Sequence, residues 1–124
     1  MRGLIQQTEQ LKIELDTLKN MYETNAAPEN RKDKSFFLKV KSETEPVYKL
    51  LTQWENNALE QIKKQNVTNV HPKQIVSTKE NIELLLMHSY YIDVRRRRYM
   101  ELHHSVHYVL NQLLRGLYKA ANKP

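Results

Sequence analysis

Two histidines four residues apart, His103 and His107, are the side chains whose type and spacing point most directly to chemistry. On a helix, positions i and i+4 lie one above the other, so both rings can offer nitrogens to one Zn²⁺ or similar ion. A third donor has to come from another helix, and His88 is the candidate. A hairpin folded at about Arg96 brings it to roughly the level of the pair. The competing reading sets these rings at the margin of a core stripe at 102, 106 and 109, half exposed and satisfied by water or neighbours. Glu101 and His104 have the Glu-x-x-His spacing of di-iron helices, which require a second such motif. None exists: Glu55, Glu60, Glu80 and Glu83 are followed at the third position by Ala58, Lys63, Glu83 and Leu86. A ferritin-like centre is not expected.

The second cluster is Arg95, Arg96, Arg97 and Arg98. Four guanidinium forks at a turn suit phosphate or carboxylate, so these residues are the candidate polyanion site. Up-down topology would set Arg31, Lys32 and Lys34 at the same end. However, Lys63, Lys64, Lys73, Lys119 and Lys123 then fall near the opposite end, and the charge marks no single face. No helix-turn-helix or other docking motif is present, so nucleic acid is not the expected partner. The plainer reading is a solvated turn whose arginines pair with Asp93 and Glu101.

Covalent catalysis finds little to work with. There is no cysteine, and two glycines cannot build an elbow, an oxyanion loop or a phosphate loop. Ser89 and Ser105 occur near histidines, but a serine inside a helix usually bonds its own backbone. The expectation is therefore a non-enzymatic protein without a cofactor, an interaction or structural module whose partner is most simply another protein. A metal-binding bundle using the histidines is the alternative, and weak polyanion binding the third reading.

The elements that would position these residues follow from periodicity. From Ile75 to Leu117 there is no proline, and no glycine before Gly116. Apolar or aromatic side chains fall at 75, 82, 85, 89 to 92, 99, 102, 106, 109, 113 and 117, the steps of a helix with one buried face. The phase lapses at Arg96. One helix of that length would extend roughly 65 Å at about 1.5 Å per residue, so the stretch is read as a hairpin turning near Asp93–Arg98. Its arms are expected at Pro72–Val94 and Tyr99–Ala120, followed by a frayed Asn122-Lys123-Pro124 tail.

Upstream, Leu4, Leu11, Leu15, Leu18 and Tyr22, with Thr8 filling the missing turn, predict a first helix over Leu4–Glu23. Pro28 closes it. Asp33 is the expected cap of a second helix, with Ser35 the alternative. Phe36, Phe37 and Val40 make its first buried turns, and Val47, Leu51, Trp54, Ala58 and Ile62 continue the face. Pro46, preceded by a capping-box spacing at Ser42–Glu45, predicts a break or kink. Of these, two pieces, 34–42 and from about 45, are preferred over one kinked helix. Gln65–His71 reads as a polar connector. Tyr90, Tyr91, Tyr99, Tyr108 and Tyr118 read as core or core-margin packing. The whole predicts one domain, an all-α antiparallel up-down-up-down four-helix bundle.

His71-Pro72-Lys73-Gln74-Ile75, Ser89-Tyr90, the basic run followed by Tyr99, and Ser105-Val106 with Tyr108 resemble the YppE-like family. Phe36-Phe37 and Trp54-x-x-x-Ala58-Leu59 resemble it as well. The likeness runs from about residue 33. Those proteins are small bacterial four-helix bundles of unknown function, so the resemblance implies the bundle and no activity, metal motif or catalytic residue.

The net charge of +6 is uneven: residues 72–124 hold nine Lys/Arg against four Asp/Glu. Such a balance is common in soluble helical proteins and does not by itself name an acidic partner. No apolar run approaches the roughly 20 residues that cross a bilayer, and Glu9 with Asp16 interrupts a signal-peptide reading. A cytoplasmic monomer or small homo-oligomer without membrane contact is expected.

Overall fold

Leu4, Thr8, Leu11, Leu15, Leu18 and Tyr22 are all buried along one face of the first helix, α1 (Arg2–Thr24). The computed structural model describes residues 1–122; Lys123 and Pro124 of the expected tail lie outside the described residues. Three further helices follow: α2 (Lys34–Lys63), α3 (Pro72–Tyr91) and α4 (Arg96–Ala121). Among the described residues there is no strand. Each helix runs antiparallel to its neighbours in sequence. Trp54 of α2 meets Thr8 of α1, Tyr90 of α3 meets Glu43 of α2, and Ser89 meets Tyr99 of α4. Tyr118 of α4 meets Glu9 of α1 and closes the bundle. α1 and α3 also pack against each other, whereas the backbones of α2 and α4 do not approach closely. The four helices thus stand as a flattened rhomb with α1–α3 on its short diagonal.

The caps follow from the residues beside the helices. Asp33 Oδ1 accepts the amides of Ser35 (2.8 Å) and Phe36 (3.3 Å) and starts α2. At α3, His71 Nδ1 accepts the Lys73 amide while Gln74 Oε1 accepts the His71 amide, a reciprocal capping box with Pro72 in the first turn.

The expected division of the second helix is corrected: α2 is continuous, with Pro46 in its interior. Pro46 removes the amide that would bond the Ser42 carbonyl, at a cost of roughly 3 kcal/mol. Both residues are exposed, so solvent can take over that carbonyl. Val40 and Thr44 before the proline and Leu51, Trp54 and Ala58 after it are buried on one continuous face. Most helical stability comes from such a face, and here it outweighs the proline. The Ser42–Glu45 capping-box spacing consequently caps nothing. Phe37 is exposed rather than part of the first buried turn, and Phe36 is half-buried, edge-on to Tyr91 at 5.2 Å.

The connector after α2 is less polar in structure than in sequence. Val67 and Val70 are buried in the main core. The Asn69 side chain donates to the Gln112 carbonyl of α4 at 2.8 Å and lies over Gly116. Among the tyrosines, Tyr99 is fully buried, whereas Tyr108 and Tyr118 are exposed, so these last two are not core.

α3 ends at Tyr91, three residues earlier than expected. Ile92 takes a left-handed conformation (φ 51°), its amide bonded to the His88 carbonyl at 2.9 Å. The turn to α4 is Ile92–Arg95. Arg95 is the N-cap position and Arg96–Arg98 form the first turn of α4, which accounts for the lapse of phase at Arg96.

Candidate metal centre

Leu102 and Val106 are buried, so the residue after each, His103 and His107, stands at the margin of α4. On α1 the same logic sets Asp16 one residue past buried Leu15. The antiparallel contact of α1 with α4 brings these three margins together on one outer seam. Asp16 Oδ1 is 3.4 Å from His107 Nε2 and 3.9 Å from His103 Nε2. One ligand atom from each residue lies within 4.8 Å of the other two. The rings are 4.5 Å apart and tilted by 52°.

The histidine side chains are 12% and 20% exposed, against 72% for Asp16. Both Nε2 atoms are buried and neither makes a well-formed hydrogen bond, the 3.4 Å approach of Asp16 to His107 being the nearest to one. Leaving a buried polar atom unpaired costs about 1–3 kcal/mol. Burial, reinforced by the neighbouring His107 and by Lys19, lowers the pKa of His103, against the opposing pull of the Leu15 backbone and Asp16. Burial likewise lowers that of His107; Asp16 opposes the shift and Lys12 adds to it. Both rings are thereby held toward the neutral form, the one that ligates metals.

Donors around a tetrahedral ion with bonds of about 2.0–2.1 Å sit roughly 3.3 Å apart. The present separations exceed that by at most about 1.5 Å, and the exposed Asp16 side chain has rotamers free to close the gap. Two imidazoles and one carboxylate are a recognised set for divalent transition metals, leaving one or more positions for other ligands. The group is therefore chemically suited to an ion that bridges α1 and α4.

His88 does not belong to this group, which corrects the expected histidine trio. Its Nδ1 lies 2.8 Å from Asp93 Oδ1, and Asp93 Oδ2 accepts from Arg31 at 2.9 Å. Burial opposes ionisation of Asp93, but the His88 contact and Arg31 hold its carboxyl below the usual range. The cause of the displacement is register. A hairpin turned at Arg96 levels His88 with His104, whereas the observed turn at Ile92–Arg95 levels Ser89 with Tyr99. Moving a turn by two residues shifts the facing helix by four, about 6 Å along its axis. Asp16 was missed because nothing in its local sequence distinguishes it from any acidic residue beside a core stripe.

The arginines open onto solvent but engage their own carboxylates. Arg96 meets Glu23 of α1 at 3.2 Å, and Arg97 meets Glu101 at 3.4 Å. Arg98 reaches the same Glu101 at 4.0 Å, and Arg95 is exposed at the N-cap.

The fold defines the class, antiparallel four-helix bundles. The chain belongs to the family described as "Bacterial domain of unknown function (DUF1798)", whose model matches residues 8–117. It is 33% identical over 76 residues to "Uncharacterized protein YppE" of Bacillus subtilis (strain 168). That match covers 61% of this chain and 62% of the relative, less than two thirds of the relative's length. The crystal structure of YppE superposes with a TM-score of 0.83 over 98% of both chains. Its solution NMR structure gives 0.78 over 99% of this chain and 98% of that one. At 23% identity these two likenesses establish the fold alone. The resemblance read from residue 33 onward is borne out, and so is the all-α bundle. No helix among the described residues is long and apolar enough to cross a membrane.

Proposed function

We propose that this bundle is a non-enzymatic metal-binding protein that holds one divalent transition-metal ion between α1 and α4 through Asp16, His103 and His107. The observation that carries the reading is the convergence of two buried Nε2 atoms and one carboxylate oxygen to within 4.8 Å of one another, with neither nitrogen in a well-formed hydrogen bond. A ring nitrogen serving only as packing would be better buried against a donor or left in water. An ion satisfies both nitrogens at once and fastens the middle of α1 to α4.

The test is calorimetric titration of the chelator-treated protein with Zn²⁺ and Co²⁺ at neutral pH. One ion per chain is expected, with binding lost in His103→Ala and His107→Ala and weakened in Asp16→Asn. A dissociation constant weaker than about 1 mM for both ions, or binding that survives both histidine substitutions, overturns the proposal.

A protein partner, rather than nucleic acid, belongs to the same proposal. Its support is that Arg31, Arg96, Arg97 and Arg98 each lie beside a carboxylate of the same chain, which sets negative charge among the arginines. A cytoplasmic location is proposed as well; the chain has no cysteine with which to use an oxidising compartment. Size-exclusion chromatography with light scattering tests the monomer or small homo-oligomer that accompanies this reading.

A further inference from the structure

We infer that a half-enclosed recess at the C-terminal end of α4 binds a phosphate monoester, which Arg115 and Lys119 hold against the connector that follows α2. The recess encloses about 220 Å³, and its polar lining is Asn66, Thr68, Asn69, Arg115 and Lys119, around Gly116. Arg115 stands eight residues beyond His107, about 12 Å along the axis of α4, so this is a second site, independent of the metal reading. Arg115 and Lys119 are four residues apart and share one face of the helix. Like charges at this spacing repel, and neither is paired with a carboxylate among the described residues. The helix dipole accounts for cations in the last turns, but not for a recess beside them. Gly116, a poor helix former, lies in that recess, where a Cβ would run into the Asn69 side chain. Asn69 is fastened there reciprocally: its Nδ2 donates to the Gln112 carbonyl at 2.8 Å, and Gln112 Nε2 donates to the Asn69 carbonyl. Asn66 Nδ2 is held in turn by Gln61 Oε1 at 2.8 Å. The connector wall is thus in place before a ligand arrives, which lowers the ordering cost of binding.

The lining selects the ligand. All of its charge is positive, and no Asp or Glu contributes to it. The Arg115 guanidinium offers a planar fork for two oxygens, and the Lys119 ammonium a point charge for a third. The Thr68 hydroxyl and the second amide hydrogen of Asn66 add neutral donors from the connector. Donors on two elements suit a tetrahedral anion with three terminal oxygens better than a planar carboxylate with two. A monoester carries about −1.5 to −2 charges at neutral pH, which balances the two cations. The volume lies below the roughly 300–1,000 Å³ of pockets for drug-sized ligands, so the occupant is one phosphate group on a short ester stem. Both cations are exposed, and the group enters from solvent. A soluble monoester and the headgroup of phosphatidic acid present the same chemistry.

The experiment titrates methyl phosphate into the isotope-labelled full chain in about 100 mM chloride, which screens exposed charges, and follows the amide resonances of Thr68, Asn69 and Gly116. Saturable shifts centred on these amides are expected, with a dissociation constant below about 5 mM. Arg115→Gln and Lys119→Gln should each weaken binding about tenfold. Lys63→Gln, which removes an exposed charge outside the recess, should leave it within about twofold. Gly116→Ala keeps every charge but displaces Asn69, and should weaken binding too; the amide spectrum of each variant shows that it is folded. Acetate should bind at least about tenfold more weakly than the ester. Sedimentation with phosphatidylcholine vesicles, with and without phosphatidic acid, separates the two sources. Retention by the acidic vesicles that Arg115→Gln abolishes assigns the lipid-borne group, and no retention assigns the soluble ester. Absence of saturable shifts and of vesicle retention overturns the inference. So does acetate binding as tight as the ester's, a loss in Lys63→Gln equal to that in Arg115→Gln, or unchanged affinity in Gly116→Ala.

Discussion

Trp54 donates its indole N–H to Thr8 Oγ1 at 3.0 Å, with both side chains fully buried. Thr8 in turn donates its hydroxyl to the Leu4 carbonyl at 2.7 Å. A threonine therefore fills the missing turn of the α1 stripe because the tryptophan of α2 needs an acceptor there. Trp54→Ala should cost about 3–5 kcal/mol in urea unfolding through the cavity it leaves. Thr8→Val, which keeps the shape and strands the indole N–H, should cost about 1–3 kcal/mol. A near-neutral Thr8→Val would show that the bond adds nothing to the packing.

Pro46 is exposed within a continuous helix, so its replacement removes a backbone defect and little packing. Pro46→Ala is expected to stabilise the protein by about 1–3 kcal/mol. Thermal unfolding without an increase in midpoint would mean that α2 absorbs the proline at no cost.

Gly116 lies inside α4, where alanine is normally better by roughly 0.8–1 kcal/mol. A Cβ there would stand 2.9 Å from Asn69 Cγ and closer still to its Oδ1, while the Asn69 amide is held by the Gln112 carbonyl. Gly116→Ala should therefore fail to stabilise the protein, and should stabilise it in an Asn69→Ala background. Equal effects in the two backgrounds would disprove the contact.

His88 is engaged with Asp93 at the α3–α4 turn and takes no part in the proposed centre. His88→Ala should leave Zn²⁺ affinity within about twofold and cost less than about 1 kcal/mol of stability, as for other partly exposed pairs. His103→Ala should lower affinity more than about tenfold. Similar losses in both variants would restore the histidine trio.

Tyr99 stacks on Tyr22 with ring centroids 4.0 Å apart and hydrogen-bonds Ser89. Burial, with Tyr22 and Glu23 adding and the Ser89 bond opposing, pushes its hydroxyl from 10.0 up to about 12. The folded state thus favours the neutral phenol. This contribution is complete below pH 10 and is lost as pH rises from 10 through about 12. Urea unfolding of the unsubstituted protein should therefore weaken more steeply above pH 10 than that of Tyr99→Phe. Parallel slopes would contradict the burial argument.

The four-helix bundle and most of the core were legible in the sequence, the continuity of its second helix excepted. The buried stripe Leu4, Thr8, Leu11, Leu15, Leu18, Tyr22 and the face Leu51, Trp54, Ala58 are local patterns, because a helix repeats every 3.6 residues whatever surrounds it. Asp33 as a cap and Pro72 in a first turn were legible because both signals are local: the cap's hydrogen bonds close within three residues, and proline needs no amide there. His103 and His107 were legible as a pair because their spacing lies within one helix.

Tertiary structure decided what depends on distant segments. Whether Pro46 breaks a helix depends on how much buried surface holds the two sides in line. Val67 and Val70 carry no period, and only the closure of the bundle end over them makes them core. The third member of the candidate centre depends on where a four-residue turn falls and on how α1 slides along α4. Both are fixed by packing across the bundle, and a shift of a few residues exchanges one donor for another. That is why His88 meets Asp93, while Asp16, 87 residues before His103 in the chain, meets the histidine pair.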